Sequence, residues 1–168
     1  MAMSAKLSEK CRKIKLVLTD VDGVLTDGGM YYTADGDIMK KFHTRDGMGV
    51  TLLKKKNIPT IIITKEKTSM VKRWASRMKI EKLYDGILEK EKLVDIICKK
   101  YCISFDEIAY IGDDVNDVEL LKRVGLSIVP HDAVKEVKRV SHYVCKINGG
   151  SGAFREAADL ILSKTDKI

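Results

Sequence analysis

An apolar run that stops abruptly at two aspartates constrains the fold of this chain more than any other feature. Residues 14–19 have the composition of a β-strand, and Asp20, Asp22 and Gly23 follow at once. In an open α/β sheet, ligands bind just beyond the carboxyl ends of the strands. Two carboxylates this close repel each other unless a cation or a shared proton relieves them. Because Mg²⁺ prefers oxygen ligands, the pattern predicts a Mg²⁺ site at this strand end.

Strand-like and helix-like runs alternate along the chain, which indicates a parallel sheet joined by right-handed crossovers. The predicted strands are 14–19, 58–64, 83–84, 108–111, 126–129 and 143–144. The predicted helices are 46–56, 68–78, 89–101, 115–124, 133–140 and 152–162. Residues 31–33 and 38–42 flank a polar turn and predict a β-hairpin. A length of 168 residues suits a single domain, which we expect over 14–168, with a disordered or frayed segment over 1–13.

The charge balance leaves more than one explanation open. The chain has 31 basic and 24 acidic residues, a net charge of +7. The basic residues are scattered, mostly on predicted helix faces, so solvated surfaces explain them first and a small anionic substrate second. Nucleic-acid binding is the third explanation, and it requires an affinity that falls steeply with salt. We expect no nucleic-acid partner.

The cysteines and the apolar runs indicate in which cellular compartment the protein lies. The four cysteines form no Cys-x-x-Cys pair, which favours reduced thiols and a reducing compartment. The first residues lack the apolar segment of a signal peptide, and the longest apolar runs are too short to span a bilayer. We therefore expect a cytoplasmic protein with no membrane partner.

Polar side chains also follow other predicted strands, and each has an ordinary explanation of its own. Thr64 ends one strand, Asp113 and Asp114 follow another, and Lys90 opens a helix. Alone, these are a strand-end threonine, helix-capping carboxylates and a solvated lysine, just as Asp20 and Asp22 suit a turn. Together they supply the carboxylates, hydroxyl and cation that phosphoryl transfer needs.

This set of residues resembles the four motifs of the haloacid dehalogenase superfamily of phosphohydrolases. The resemblance spans about 14–162 and is carried by Asp20-Val21-Asp22-Gly23, Thr64, Lys90 and Gly112-Asp113-Asp114 with Asn116-Asp117. It implies a Rossmann-like α/β fold, with a central parallel sheet flanked by helices. The first two motifs are too close together for a cap domain, so we expect none, only a small β-hairpin flap at about 28–42.

The resemblance also implies a role for each motif residue. Asp20 would be the nucleophile that forms an aspartyl-phosphate, and Asp22 the general acid/base that binds the metal through its main-chain carbonyl. Thr64 and Lys90 would bind phosphate. Asp20, Asp22 and Asp113 would hold Mg²⁺, with Asp114 and Asp117 in or behind the metal's ligand set.

Longer segments resemble one capless branch, the 3-deoxy-D-manno-octulosonate 8-phosphate phosphatases and their nonulosonate 9-phosphate relatives. These segments are 20–29, 42–49, 109–117, 121–126, 129–133 and 149–156. The resemblance implies a phosphatase for a phosphorylated 2-keto-3-deoxy sugar acid, assembled as a homotetramer that closes the open site. The alternative is a non-catalytic oligomerisation module, related to the C-terminal domain of sialic-acid cytidylyltransferases.

The residues expected at the sugar give mixed signals. Lys65-Glu66 stands where octulosonate enzymes usually have Gly-Arg, and Glu66 together with Arg77 resembles the nine-carbon branch, which we slightly favour. A plain helix-start position explains Glu66 equally well. Arg45 and Asp46 resemble the octulosonate pattern. The full set of predicted substrate-binding residues is Arg45, Asp46, Glu66, Arg77, Asn116 and Arg155.

Overall fold

A six-stranded parallel sheet forms the centre of the protein, in a computed structural model that describes residues 5–165. The strands in this range are β1 (Leu16–Thr19), β2 (Tyr31–Thr33), β3 (Gly36–Met39), β4 (Thr60–Ile63), β5 (Lys82–Tyr84), β6 (Ile108–Ile111), β7 (Leu126–Val129) and β8 (Tyr143–Val144). The sheet order is β5-β4-β1-β6-β7-β8, with every neighbouring pair parallel. The alternation of strands and helices predicted this arrangement, and it is confirmed.

Helices cover both faces of the sheet. They are α1 (Ala5–Lys13), α2 (Thr44–Lys55), α3 (Ser69–Arg77), α4 (Lys90–Tyr101), α5 (Val118–Arg123), α6 (Lys135–Val140) and α7 (Ala153–Thr165). Buried residues of α1, α2, α3 and α7 form the core on one face, and those of α4, α5 and α6 form the core on the other. In the range 5–165, no helix combines the length and the apolar character needed to cross a membrane.

Burial explains why the central strands are so apolar. Every residue of β1, β4, β6 and β7 is buried. Neighbouring residues of a strand point to opposite faces, so Leu16 and Leu18 enter one core while Val17 enters the other. Strands that are buried on both faces are mostly apolar, and in these four strands the exceptions are the small polar residues Thr19, Thr60 and Ser127 and the tyrosine Tyr110.

The prediction of a frayed start is wrong for the described part of that segment, because residues 5–13 form α1. Leu7, Cys11 and Ile14 are spaced by four and three residues, so they lie on one side of the helical turn. Cys11 and Ile14 are buried in the same core as α7, and Leu7 packs against it. Lys10 Nζ also donates to the carbonyl oxygen of Gly125 at 2.7 Å. Residues 1–4 lie outside the described range.

The predicted hairpin is present, and we call residues 28–42 the flap. Its strands β2 and β3 pair antiparallel, with Thr33 opposite Gly36. The second strand begins earlier than predicted, because Gly36 has a φ of +112° and so lets the chain turn back at once. An isolated bridge between Thr26 and Phe42 closes the base of the flap. Within 5–165, this hairpin is the only regular structure between β1 and α2.

Candidate active site

The cleft at the carboxyl edge of the sheet brings most predicted catalytic residues together. It is a cavity of about 480 Å³, formed by the loops that follow β1, β4 and β6. Since β1 lies between β4 and β6, these three loops are neighbours. The predicted residues that line the cleft are Asp20, Asp22, Thr64, Glu66, Asp113, Asp114 and Asn116.

Asp20 lies on the floor of the cleft and is 7% exposed. Its Oδ1 accepts a hydrogen bond from the amide of Val21 at 2.7 Å, and its Oδ2 accepts one from Lys90 Nζ at 2.5 Å. Burial raises the pKa of Asp20 to about 6, although the ammonium of Lys90 favours the charged form. The amide of Val21 and the ammonium of Lys90 both favour the carboxylate form of Asp20, which is the form that a nucleophile needs.

Lys90 is a buried cation that contacts three acceptors in this structure. Besides Asp20, its Nζ donates to Asp117 Oδ1 at 2.8 Å and to the hydroxyl of Tyr110 at 3.2 Å. Burial by itself would lower the pKa of Lys90, but Asp20 and Asp117 outweigh that effect and raise it. Tyr110 in turn donates to Asp117 Oδ1 at 2.5 Å. Lys90 thus stays charged and ties α4 to the loops after β1 and β6.

We expect Tyr110→Phe to lower the free energy of unfolding by about 1–2 kcal/mol, because it removes one of the two side-chain donors to the buried Oδ1 of Asp117. The ring is fully buried, so Phe fills the same space. Chemical denaturation measures the change. Tyr84→Phe is the control, since no hydrogen bond of the Tyr84 hydroxyl is recorded within residues 5–165, and it should shift stability by less than about 0.5 kcal/mol. If Tyr110→Phe were as stable as the wild type, the hydrogen bonds of the Tyr110 hydroxyl to Asp117 and Lys90 would not contribute to stability as expected.

Three carboxylates form an acidic group beside this cation. Oxygens of Asp20, Asp113 and Asp117 lie within 4.8 Å of one another. Asp117 uses both of its oxygens inside the protein, since its Oδ2 accepts from the amides of Asp113 at 2.9 Å and Asp114 at 3.4 Å. No residue in 5–165 donates a hydrogen bond to the carboxylate of Asp113, and burial together with Asp20 and Asp117 raises its pKa to about 8. A divalent cation relieves such a pair, so Asp20 and Asp113 fit Mg²⁺.

Gly23 makes room for the Asp113 carboxylate. Its φ is +81°, a left-handed conformation that side chains other than glycine rarely adopt. A Cβ added there would lie 2.0 Å from Asp113 Oδ2. Glycine is therefore required at position 23 for two reasons: the backbone conformation is left-handed, and the Asp113 carboxylate occupies the space that a side chain would need.

The other predicted motif residues take distinct positions. Asp22 Oδ1 accepts hydrogen bonds from Lys40 Nζ at 2.7 Å and Thr26 Oγ1 at 3.3 Å, so its side chain lies outside the acidic group. Its metal contact through the main-chain carbonyl stays a prediction. Thr64 is buried at the end of β4. For Asp114 the capping explanation is confirmed, because its side chain caps the short helix 115–117. That short helix, followed by α5, replaces the single helix predicted over 115–124.

Only two of the six predicted substrate residues, Glu66 and Asn116, line the cleft. Arg45 and Arg155 line a separate cavity of about 390 Å³, and Arg77 lines another of about 440 Å³ beside Trp74. Within a single chain these arginines therefore stay apart from the cleft. Glu66 Oε2 accepts a hydrogen bond from Lys40 Nζ at 3.1 Å.

The prediction that Asp46 contacts a substrate is wrong for this chain. Its side chain is fully buried, and its Oδ1 accepts a hydrogen bond from the amide of Arg155 at 2.8 Å. Burial raises the pKa of Asp46 to about 6, although that bond favours the charged form. Asp46 instead fastens the first turn of α7 to α2.

Sequence reasoning missed two residues of the site, Lys40 and Tyr110. Lys40 follows β3 in a run of two lysines, and nothing in that run distinguishes an inward from an outward lysine. Tyr110 carried a weak signal, because a tyrosine within a strand buried on both faces needs a partner for its hydroxyl. That signal points to the neighbouring carboxylates only once the strand order is known.

Comparisons with known proteins show which family this chain belongs to. Residues 50–155 match the family of haloacid dehalogenase-like hydrolases. The 3-deoxy-D-manno-octulosonate 8-phosphate phosphatase KdsC of Haemophilus influenzae is 37% identical over 161 residues, which cover 96% of this chain and 89% of the relative. The cobalt-bound structure of the deoxy-D-mannose-octulosonate 8-phosphate phosphatase from that organism is also 37% identical, with a TM-score of 0.90 over 94% of this chain and 92% of the other.

A further solved structure includes ligands. It is the 3-deoxy-D-manno-octulosonate 8-phosphate phosphatase of Moraxella catarrhalis in complex with a magnesium ion, a phosphate ion and KDO. It is 34% identical to this chain and has a TM-score of 0.94. The match covers 98% of this chain and 94% of the other.

Proposed function

Since the chain belongs to the haloacid dehalogenase-like hydrolases, we propose that it is a phosphomonoesterase that hydrolyses a phosphorylated 2-keto-3-deoxy sugar acid. The observation that carries this proposal is the buried contact between Asp20 and Lys90 beside Asp113 on the floor of the cleft. It combines a nucleophile, a cation for phosphate and a free metal ligand in one place.

The chain's residues divide the reaction between them. A carboxylate oxygen of Asp20 attacks phosphorus, and the bond from phosphorus to the ester oxygen breaks with its electron pair on that oxygen. Asp22, in its protonated form, gives that oxygen a proton. Water then attacks the aspartyl-phosphate while Asp22 takes up a proton, which releases inorganic phosphate and restores Asp20. Thr64 and Lys90 bind the phosphoryl oxygens.

Mg²⁺ is the cofactor that we propose for this site. The carboxylates of Asp20 and Asp113 would hold it, together with the main-chain carbonyl of Asp22. When bound, the ion neutralises charge that builds up on the phosphoryl group. Support comes from the unpaired carboxylate of Asp113 and from the magnesium and cobalt ions named for the two relatives.

We expect the metal-free protein to lose stability as the pH rises from about 4 to 8. The pKa of Asp113 is raised to about 8 in the folded state, so the folded state binds more protons than the unfolded chain across this range, and deprotonation favours unfolding. Thermal melts in EDTA measure the slope, and Mg²⁺ should raise the melting temperature more at pH 8 than at pH 5. In Asp113→Asn both effects should be smaller, and an unchanged slope in that variant would contradict the role of Asp113.

For the substrate we propose 3-deoxy-D-manno-octulosonate 8-phosphate, and the nine-carbon 9-phosphates are the second candidates. The names of the relatives support eight carbons, whereas the presence of Glu66 and Arg77 in the sequence supports nine. Release of phosphate from both substrates, with and without Mg²⁺, tests the choice. A higher kcat/KM for the nine-carbon ester would reverse it, and no Mg²⁺-dependent release from either would favour the oligomerisation module.

Assembly and location complete the proposal. We propose a homotetramer, because the predicted substrate residues Arg45, Arg77 and Arg155 lie outside the cleft of their own chain, where a neighbouring subunit could bring them to another cleft. Light scattering of the purified protein measures this assembly. We also propose a cytoplasmic location, which the four free thiols support.

A further inference from the structure

A lysine of the flap contacts two carboxylates of the cleft. Lys40, directly after β3, has its Nζ 2.7 Å from Asp22 Oδ1 and 3.1 Å from Glu66 Oε2. We propose that Lys40 is a positioning residue, which holds the Asp22 carboxyl group where it can give a proton to the leaving group. This inference rests on the proposed function and assigns the flap a part in the chemistry of the same site.

The contacts of Asp22 show why it depends on Lys40. Its side chain is 32% exposed, so solvent leaves it room to move. Apart from Lys40, its recorded side-chain partner in residues 5–165 is Thr26 Oγ1, at a distance of 3.3 Å. A charged donor at 2.7 Å is the stronger restraint of the two. Removal of the ammonium would therefore release the carboxyl group from its present direction.

Lys40 also joins two loops that would otherwise repel each other. Asp22 follows β1 and Glu66 follows β4, and both carboxylates contact the same ammonium. Without a cation between them, two carboxylates at this separation disfavour each other's charge. Lys40 therefore bridges the loops that follow β1 and β4.

The neighbouring lysine shows that this inward position is particular to Lys40. The side chain of Lys40 is 5% exposed, whereas that of Lys41 is 56% exposed and its Nζ lies 3.4 Å from Asp27. A buried ammonium loses its hydration and persists only where carboxylates compensate. The flap therefore directs one of two adjacent lysines at the acid/base and leaves the other in solvent, which provides a matched control.

Leaving-group chemistry separates a positioning role from a general structural one. A sugar alcohol leaves as an alkoxide, which needs a proton, whereas p-nitrophenolate is a stable anion that leaves without one. The ratio kcat/KM covers the steps up to the first irreversible one, the transfer of the phosphoryl group to Asp20. Misplacement of Asp22 should therefore lower kcat/KM for the sugar ester far more than for the aryl ester.

The experiment compares Lys40→Met with wild type on octulosonate 8-phosphate and p-nitrophenyl phosphate, both with Mg²⁺. We expect kcat/KM to fall about 10-fold or more for the sugar ester and less than about 3-fold for the aryl ester. Lys40→Arg, whose guanidinium can bridge both carboxylates, should recover most of the loss. Lys41→Met should match the wild type on both esters.

Other outcomes decide against the inference. Equal losses on the two esters, or no loss on either, would overturn the positioning role. Thermal melts check folding, and Lys40→Gln replaces Lys40→Met if the latter does not fold. A wild type that cleaves only other alkyl phosphates would refute the proposed substrate, while the ratio between alkyl and aryl esters still tests Lys40. A wild type that hydrolyses no ester would overturn both proposals.

Discussion

Asp20→Asn should abolish turnover while the protein stays folded. An amide cannot form the aspartyl-phosphate, so we expect kcat to fall by about 1,000-fold or more. The fold should survive because Lys90 keeps its bonds to Asp117 and Tyr110. Burial raises the pKa of Asp20, so an uncharged group at this position should leave the melting temperature equal or higher. Phosphate release and thermal melts measure the two effects.

Asp114→Asn, the same change at another carboxylate of the cleft, serves as the comparison. Asp114 caps the helix 115–117 and its side chain is exposed, so Asp114→Asn, which retains a capping oxygen, should keep turnover within about 10-fold. Trapping of the phosphorylated protein with labelled substrate should succeed for wild type and fail for Asp20→Asn. Turnover by Asp20→Asn at the wild-type rate would remove Asp20 as the nucleophile.

Lys90→Met should be the most destabilising single change in the site. It leaves the buried carboxylates of Asp20 and Asp117 without their cation, and breaking a buried ion pair on one side costs about 3–5 kcal/mol. The exposed fraction of the Lys90 side chain is 2%, so solvent cannot replace the ammonium. Denaturant titration measures the loss, and phosphate release should fall with it because a phosphate ligand disappears.

A second lysine in the same helix turn supplies the control for that change. Lys92 is exposed and pairs with Glu89 at 2.7 Å on the surface, where such pairs contribute little. Lys92→Met should therefore leave both stability and turnover near the wild-type values. Adding Asp117→Asn to Lys90→Met should restore part of the lost stability, since one unpaired charge is removed. No restoration would contradict the electrostatic explanation.

The sequence predicted those features that depend on local pattern. Strands β6, β7 and β8 begin and end where the predicted strands do. The cleft followed from the same logic, because polar residues at the ends of parallel strands have to meet at one edge. Asp20, Thr64 and Asp113 therefore came together as expected.

Features that depend on contacts between segments far apart in the sequence were not predicted. The direction of Lys40 depends on how the flap folds back, and the burial of Asp46 depends on the start of α7, far along the chain. Helix α1 was missed because its stripe of Leu7, Cys11 and Ile14 is short and set among charged residues. In each case the deciding contact joins segments whose relative position no local pattern defines.

The central place of β1 in the sheet has a consequence for how the site comes into being. Leu16 pairs with Ile108 and Val17 pairs with Thr60, so β1 obtains its two neighbours only through contacts that are very remote along the chain. Such high contact order slows folding, because the chain loses the entropy of closing long loops before the strand contacts that offset this loss can form. During synthesis, β1 cannot pair with β6 until Ile108 has emerged from the ribosome. The nucleophile and the metal ligand thus meet only late in folding, and a chain interrupted before that residue has no reaction centre.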